Sequence, residues 1–230
     1  MKLGIMQPYF FPYIGYFSLI ANTDKWVVFD ITQYTPKSWM NRNRILHPKE
    51  DWQYITVPLS NSSISIKIAE AQILDKQKAC DRILRQIEHY RKHALYFNEV
   101  HNLVKKTFER TKTNSLVELN VNSLKAVCEY LGINFNYIIC SEEKFPLPKI
   151  EHAGQWSLEI SCLLGASEYI NPPGGKDLFV EKEFNEKNIK LTIQTPPKVQ
   201  YSCAPYEFVE SLSILDVLMW NSPQTVKGWL

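Results

Sequence analysis

MKLGIMQPYFFPYIGYF, residues 1–17, is the stretch that decides the fold. Leu3–Met6 is a short apolar strand. Pro8 and Pro12 then interrupt regular structure, because proline fixes φ and lacks an N–H. Tyr13–Ala21 has the apolar spacing of a helix, and Lys25–Phe29 has the composition of a second strand. A strand, a helix and a strand in so short a segment predict a βαβ unit with parallel strands.

The same alternation continues along the chain. Further strands are predicted at 54–59, 135–139, 168–170 and 189–194, and helices at 76–92, 96–110, 116–130, 152–164 and 208–220. Alternating strands and helices predict an α/β fold with a mostly parallel, Rossmann-like sheet covered on both faces. We expect a single α/β domain over residues 1–230, in which the helical stretch 76–131 is an insertion or cap.

Composition excludes several classes of protein. A net charge of +2 gives no argument for a nucleic-acid partner, and no apolar run reaches the length of a membrane helix. Pro8 and Pro12 interrupt the only apolar segment near the N-terminus, so no signal peptide is predicted and we expect a cytoplasmic protein. The five cysteines are scattered, which argues against a disulfide framework or a zinc ribbon.

The densest polar cluster is DITQYTPKSWMNRNR, residues 30–44. Arginine there could bind phosphate or carboxylate, and asparagines could contact a sugar or a base. The alternative is a solvated loop in which Arg42 pairs with Asp30. Aromatic residues beside the arginines favour a ligand wall, whose candidate residues are Asp30, Gln33, Tyr34, Lys37, Trp39, Asn41, Arg42 and Asn43.

The opening segment is expected to form the second wall of this site. Parallel strands one and two should end side by side, which brings the loop after Met6 next to the cluster that follows Phe29. The candidate residues on this wall are Gln7, Tyr13, Gly15 and Tyr16.

Four further residues have unassigned roles. His89 and His93 share a helix face and could ligate a metal, but no acidic partner accompanies them, so no metal site is predicted. Cys203 has no histidine placed beside it as a nucleophile would need. Asp216, among apolar residues, is a buried acid with either a structural or a functional role.

Several motifs in a fixed order carry a family resemblance. IMQPYFFPYIGYF (5–17), Asp30-x-x-Gln-Tyr34 and Trp39-x-Asn-Arg-Asn43 together resemble the WbqC-like protein family. The likeness continues through YRKHALYF, GASEYI and FVESLSILDVL, and so covers almost the whole chain. The resemblance implies a role in bacterial gene clusters for O-antigen, lipopolysaccharide and other surface polysaccharides. This chain departs from many relatives at Leu95, where they have proline, and at Cys203, where they have glutamine.

A second likeness concerns the opening alone. The strand, the proline-containing loop and the glycine at a helix start are similar to HxGH nucleotidyltransferases and pantothenate synthetases. Tyr13 and Tyr16 stand where those enzymes have histidines. An uncharged tyrosine cannot act as an imidazolium toward a phosphate, so the fold likeness can hold without adenylyl transfer.

The leading functional hypothesis is a transferase that places an acyl or aminoacyl group on the amino nitrogen of a nucleotide-activated sugar. Arg42 and Lys37 would hold the diphosphate, Asp30 would be the base, and N–H groups near Gln7 or Gly15 would stabilise an oxyanion. Sugar hydroxyls would be contacted by Gln33, Asn41 and Asn43. The donor would be an acyl-carrier thioester, with an acyl carrier protein as partner, or ATP. The alternatives are an ATP-binding enzyme of the nucleotidyltransferase type and a non-catalytic subunit that binds a sugar or carrier protein.

Overall fold

The computed structural model describes residues 1–230. The strands are β1 Lys2–Met6, β2 Lys25–Val28, β3 Arg42–Leu46, β4 Trp52–Thr56, β5 Leu59–Asn61, β6 Gln72–Ile73, β7 Tyr137–Ile139, β8 Glu168–Asn171 and β9 Lys190–Ile193. The helices are α1 Ile14–Ala21, α2 Lys76–Ile87, α3 Phe97–Arg110, α4 Leu116–Leu131, α5 Gln155–Leu163, α6 Glu181–Glu186, α7 Ile214–Trp220 and α8 Pro223–Lys227. Short 3₁₀ turns cover Ile68–Glu70, Glu88–Lys92 and Pro173–Leu178.

The main sheet has five parallel strands in the order β7-β2-β1-β8-β9. The chain therefore adds strands outward from β1 on one side, through β2 to β7. It then returns to the other side of β1 and adds β8 and β9. The order reverses between β1 and β8, which makes their carboxyl ends the topological switch point of the sheet. The predicted parallel Rossmann-like α/β fold is confirmed.

Alternation along the strands buries both faces of the sheet. Trp26 and Val28 of β2 face a large core that also contains α1, α2, α3 and α4. Val27, with Leu3 and Ile5 of β1, faces a smaller core beneath α5 and α6. The helices of residues 76–131 thus share one continuous apolar core with one face of the sheet.

Local signals set the boundaries of α4. The Ser115 side chain accepts a hydrogen bond from the Glu118 N–H, and Gly132 ends the helix in the left-handed region at φ 63°. The Glu118 carboxylate bonds the N–H groups of Lys112 and Thr113 at 2.7 and 2.9 Å. The Glu118 side chain therefore stabilises the turn before the helix. In a capping box it would instead accept a hydrogen bond from the Ser115 N–H.

Two predicted elements differ in the structure. The strand expected at 54–59 is β4, and it pairs antiparallel with β3 in a separate hairpin outside the main sheet. The helix predicted over 208–220 is α7, which begins only at Ile214, because the Ser213 hydroxyl caps it by accepting a hydrogen bond from the Leu215 N–H. None of the helices combines the length and apolarity needed to cross a bilayer.

Candidate functional site

A cavity of about 790 Å³ lies at the carboxyl ends of β1 and β8. Met6 and Gln7 line it where β1 ends, and Asn171 and Pro172 line it where β8 ends. Open parallel sheets bind ligands at such a switch point. We call this space the switch-point cavity. Its volume is within the range of small-molecule sites.

The opening loop, residues 7–13, forms one wall of the switch-point cavity and is held by side chains from distant segments. The Asn43 amide donates to the carbonyls of Phe10 and Phe11, at 3.0 and 2.9 Å. The Ser213 hydroxyl also donates to the Phe11 carbonyl, and the Asn120 amide donates to the Pro8 carbonyl. Phe11 has a φ of 39°, a conformation that these bonds stabilise. These bonds hold the wall in place without any contribution from a ligand.

Gly15 allows this wall to approach α1 closely. A Cβ atom at Gly15 would lie 2.5 Å from the Tyr13 ring and 2.6 Å from Pro196 Cβ. Tyr13 and Pro196 both line the switch-point cavity, while Gly15 does not. Glycine at this position therefore shapes the cavity through its neighbours.

The opposite wall is the loop that follows β8. The Tyr169 hydroxyl donates to Asn171 Oδ1 at 2.9 Å, and the Asn171 amide donates to the Pro172 carbonyl at 2.7 Å. A Cβ at Gly175 would lie 2.7 Å from the Asn171 amide nitrogen, so the loop folds back closely over that amide. The loop Pro172–Phe179 thereby covers the side of the cavity next to β8.

Two helices begin beside the switch-point cavity. Pro12 and Tyr13, just before α1, line it, as do Ala153, Trp156 and Ser157 around the start of α5. The amino ends of helices carry partial positive charge from their N–H groups. Neither helix has a side-chain cap at this end. The local field therefore favours an anion.

The charge of the residues that line the cavity also favours an anion. Of the 23 residues that line the cavity, Arg44 is the only one with an ionised side chain, and none is an Asp, Glu, His, Lys or Cys. Aromatic residues make up much of the remaining surface: Tyr9, Tyr13, Phe29, Trp39, Trp156, Tyr169 and Phe179. Burial raises the pKa of Tyr9 and of Tyr13, so both hydroxyls stay protonated at neutral pH. The site can thus stack, donate hydrogen bonds and neutralise an anion.

The structure brings some of the predicted site residues together and leaves others apart. Gln7, Tyr13, Trp39 and Asn43 line the switch-point cavity. The other candidates lie outside its lining: Gly15, Tyr16, Asp30, Gln33, Tyr34, Lys37, Asn41 and Arg42. Asn43 is almost fully buried and its amide is committed to the opening loop.

Most of the candidates outside the cavity have structural bonds. The Tyr16 hydroxyl donates to the Gln7 carbonyl at 2.6 Å, and Tyr16 is buried in the core. The Tyr34 hydroxyl donates to Asn41 Oδ1, and the Asn41 amide donates to the Val57 carbonyl. Gln33 donates to the Ile64 carbonyl. Both oxygens of the Asp30 carboxylate accept hydrogen bonds from Ser141, and Asp30 is 1% exposed.

Arg44, Trp156 and Asn171 were missed as site residues by reasoning from the sequence. Arg44 belongs to β3, a strand that the aperiodic composition of 31–45 did not predict. Trp156 and Asn171 reach the site only because β8 lies beside β1. Knowledge of the strand order would have identified both residues as site residues. A single sequence does not show which strands pair, so it could not give that order.

Asp216 and His89, to which the sequence assigns no role, lie outside the switch-point cavity. Asp216 is buried and accepts hydrogen bonds from the hydroxyls of Tyr90 and Tyr201. His89 Nδ1 lies 2.8 Å from the Gln86 carbonyl, and its ring lies 4.1 Å from that of Tyr90. These residues form a polar network that also reaches β3, because the Tyr90 hydroxyl accepts a hydrogen bond from the Leu46 N–H, and none of them lines the cavity.

Comparisons with known proteins agree with the resemblance of the motifs. The chain is 29% identical over 192 residues to an uncharacterized protein of Mycobacterium tuberculosis, across 83% of this chain and 80% of that protein. No solved structure gives a significant match. A family model described as the WbqC-like protein family matches residues 7–228, which include the opening loop, the hairpin and both helices beside the cavity. The chain therefore belongs to the WbqC-like protein family.

Proposed function

We propose that this protein is a transferase that binds a nucleotide-activated sugar in the switch-point cavity and acylates the sugar's amino nitrogen. One observation carries the proposal: the cavity at the switch point combines aromatic walls, amide side chains and a single arginine. Aromatic faces stack on sugar rings, and the amides of Gln7 and Asn171 can bond hydroxyls. The arginine suits the negative charge of a diphosphate.

The transfer step we propose needs positioning more than proton transfer by a side chain. The neutral amine attacks the carbonyl carbon of a carrier-bound thioester, so that a C–N bond forms and the C–S bond breaks. The leaving thiolate takes the proton that the nitrogen gives up. The lining has no Asp, Glu, His, Lys or Cys, so walls that hold amine and thioester together would supply the rate enhancement. In this proposal Asp30 has no role as the base, because Ser141 occupies its carboxylate.

The same lining favours a second candidate, a subunit that binds the sugar nucleotide without acting on it. The lining has no Asp, Glu, His, Lys or Cys, so no group beside its serines could activate them as nucleophiles in the usual way. An acyl-transfer assay distinguishes the two candidates. Conversion of an amino-sugar nucleotide to its amide, detected by mass spectrometry, supports the transferase. Tight binding without conversion by any thioester supports the subunit.

Isothermal titration calorimetry with dTDP-, UDP- and GDP-sugars tests the binding step. We expect one of these classes to bind, and Trp156→Leu to weaken that binding by about tenfold or more, because an aromatic wall is lost. Leu163→Ala is the matched control: it lies on the same helix, half-exposed and outside the cavity. Failure of every sugar nucleotide to bind at millimolar concentration would refute the proposal.

A further inference from the structure

One face of the hairpin β3–β4 carries two arginines among three aromatic rings. Arg42 and Arg44 are alternate residues of β3, and Tyr54 pairs with Arg44 across the ladder. Trp52 lies on the same side of β4, and Trp39 packs over the face from the preceding loop. We call these five residues, Trp39, Arg42, Arg44, Trp52 and Tyr54, the arginine–aromatic face.

The rings fix the position of both guanidinium groups. Arg42 Cζ lies 4.2 Å from the centroid of the Tyr54 ring, and Arg44 Cζ lies 5.1 Å from Trp52 and 5.5 Å from Trp39. The Trp52 and Tyr54 rings meet edge to face, with centroids 4.9 Å apart. Cation–π contacts of this kind orient arginine without neutralising its charge.

Neither arginine has an acidic partner. The protein forms seven ion pairs, and neither Arg42 nor Arg44 takes part in any of them. Their hydrogen bonds go to neutral acceptors, the main-chain carbonyls of Lys37 and Ser211. Two like charges side by side on a strand repel each other. An anion between them would remove that repulsion and gain charge-assisted hydrogen bonds.

The arginine–aromatic face is continuous with the switch-point cavity, because Trp39 and Arg44 belong to both. Alternate residues of a strand are about 7 Å apart, a spacing that two linked phosphates can span. The guanidinium groups of Arg42 and Arg44 lie over the Tyr54 and Trp52 rings, so the exposed Trp39 ring is the one on which a flat base can stack. The face is half-buried, and Trp39 is 39% exposed, so a ligand can reach it.

From this arrangement we infer that the arginine–aromatic face binds the nucleoside diphosphate of the substrate. Arg42 and Arg44 hold the two phosphates, the base stacks on Trp39, and the sugar enters the switch-point cavity. The inference rests on the proposed function for the identity of the sugar end. What it adds is that the diphosphate and the sugar are recognised by different parts of the protein.

Binding of UDP, dTDP and GDP without a sugar tests this inference. We expect one of them to bind by calorimetry, and Arg42→Gln and Arg44→Gln each to weaken binding by about 10- to 100-fold. Arg91→Gln is the matched control, since Arg91 also lies over a ring, that of Phe97 at 4.6 Å, but is paired with Glu88. Equal affinity of wild type and both hairpin variants would overturn the inference.

A second measurement uses the wild-type protein, so that its result does not depend on whether the variants fold. Titration of nucleoside diphosphate should shift the indole N–H resonances of Trp39 and Trp52 in NMR spectra and leave that of Trp229 in place. Shifts confined to Trp156 would overturn the inference, because the nucleotide would then lie inside the cavity. Displacement of the nucleotide by micromolar single-stranded RNA would also overturn it, in favour of a nucleic-acid surface. Diphosphate binding without sugar-nucleotide specificity would leave this inference standing and remove the proposed function.

Discussion

The Asp30 carboxylate accepts two hydrogen bonds from Ser141, from its N–H at 2.9 Å and from its hydroxyl at 2.6 Å. Asp30 follows β2 and Ser141 follows β7, so the pair joins the carboxyl ends of two neighbouring strands. Burial raises the pKa of Asp30, and the two bonds from Ser141 oppose that shift. The arrangement is that of a structural tie at the edge of the sheet.

Replacing Asp30 by alanine should destabilise the fold without weakening ligand binding. The change removes the two hydrogen bonds from Ser141 to a charged acceptor that join the two strand ends, which costs about 1–3 kcal/mol. Chemical denaturation measures the loss, and Glu142→Ala, an exposed acid in the same turn, is the control. Calorimetry at a temperature where the variant is folded should give wild-type affinity for the sugar nucleotide. If the variant has normal stability but no longer binds the sugar nucleotide, Asp30 is a ligand-binding residue.

The buried acid Asp216 gives a prediction about pH. Burial raises its pKa, and the hydrogen bonds from Tyr201 and Tyr90 lower it. Tyr201→Phe removes one of those bonds, so the pKa of Asp216 in the folded variant should rise further. The folded variant then keeps a proton that the unfolded chain releases near its ordinary pKa of 3.8. Its free energy of unfolding should therefore fall as the pH rises from 3.8 through the folded-state pKa.

Denaturation of wild type and Tyr201→Phe at several pH values measures this effect. We expect the variant to lose about 1.5–3 kcal/mol at neutral pH and less near pH 4. Tyr130→Phe, a change of the same size at a half-exposed tyrosine, should have little effect at either pH. A loss that is independent of pH would show that the Tyr201 hydroxyl matters for packing and not for the charge of Asp216.

Gly15→Ala should disturb both stability and the cavity wall. The new Cβ would lie 2.5 Å from the Tyr13 ring and 2.6 Å from Pro196, so one of these side chains must move. Such overpacking costs about 1–3 kcal/mol. Gly228→Ala, whose Cβ would meet no atom closer than 3.4 Å, should leave the melting temperature nearly unchanged. If Gly15→Ala binds the sugar nucleotide as tightly as wild type, Tyr13 is not part of the binding wall.

The fold could be predicted from the sequence further than the site could. Short apolar strands alternating with helices specify a parallel sheet, and Ser115 and Gly132 mark the ends of α4 where local rules place them. The switch point depends on β8 pairing with β1, a contact between segments more than 160 residues apart along the chain. The polar composition near a strand end predicts ligand contacts at Asp30 and Asn43, but it does not show that Asp30 bonds Ser141 or that the Asn43 amide bonds the buried carbonyls of Phe10 and Phe11.

The cysteines provide a last prediction, which tests whether Cys203 could act as a nucleophile. Burial raises the pKa of the Cys203 thiol to about 11, and that of Cys140 to about 12. Since only the thiolate reacts, alkylation of Cys203 by iodoacetamide should be slow at neutral pH and should accelerate about tenfold per pH unit below its pKa. Cys162, which is less buried, should react first. Peptide mapping by mass spectrometry measures each rate, and labelling of Cys203 at neutral pH faster than an unfolded control would identify an activated thiol.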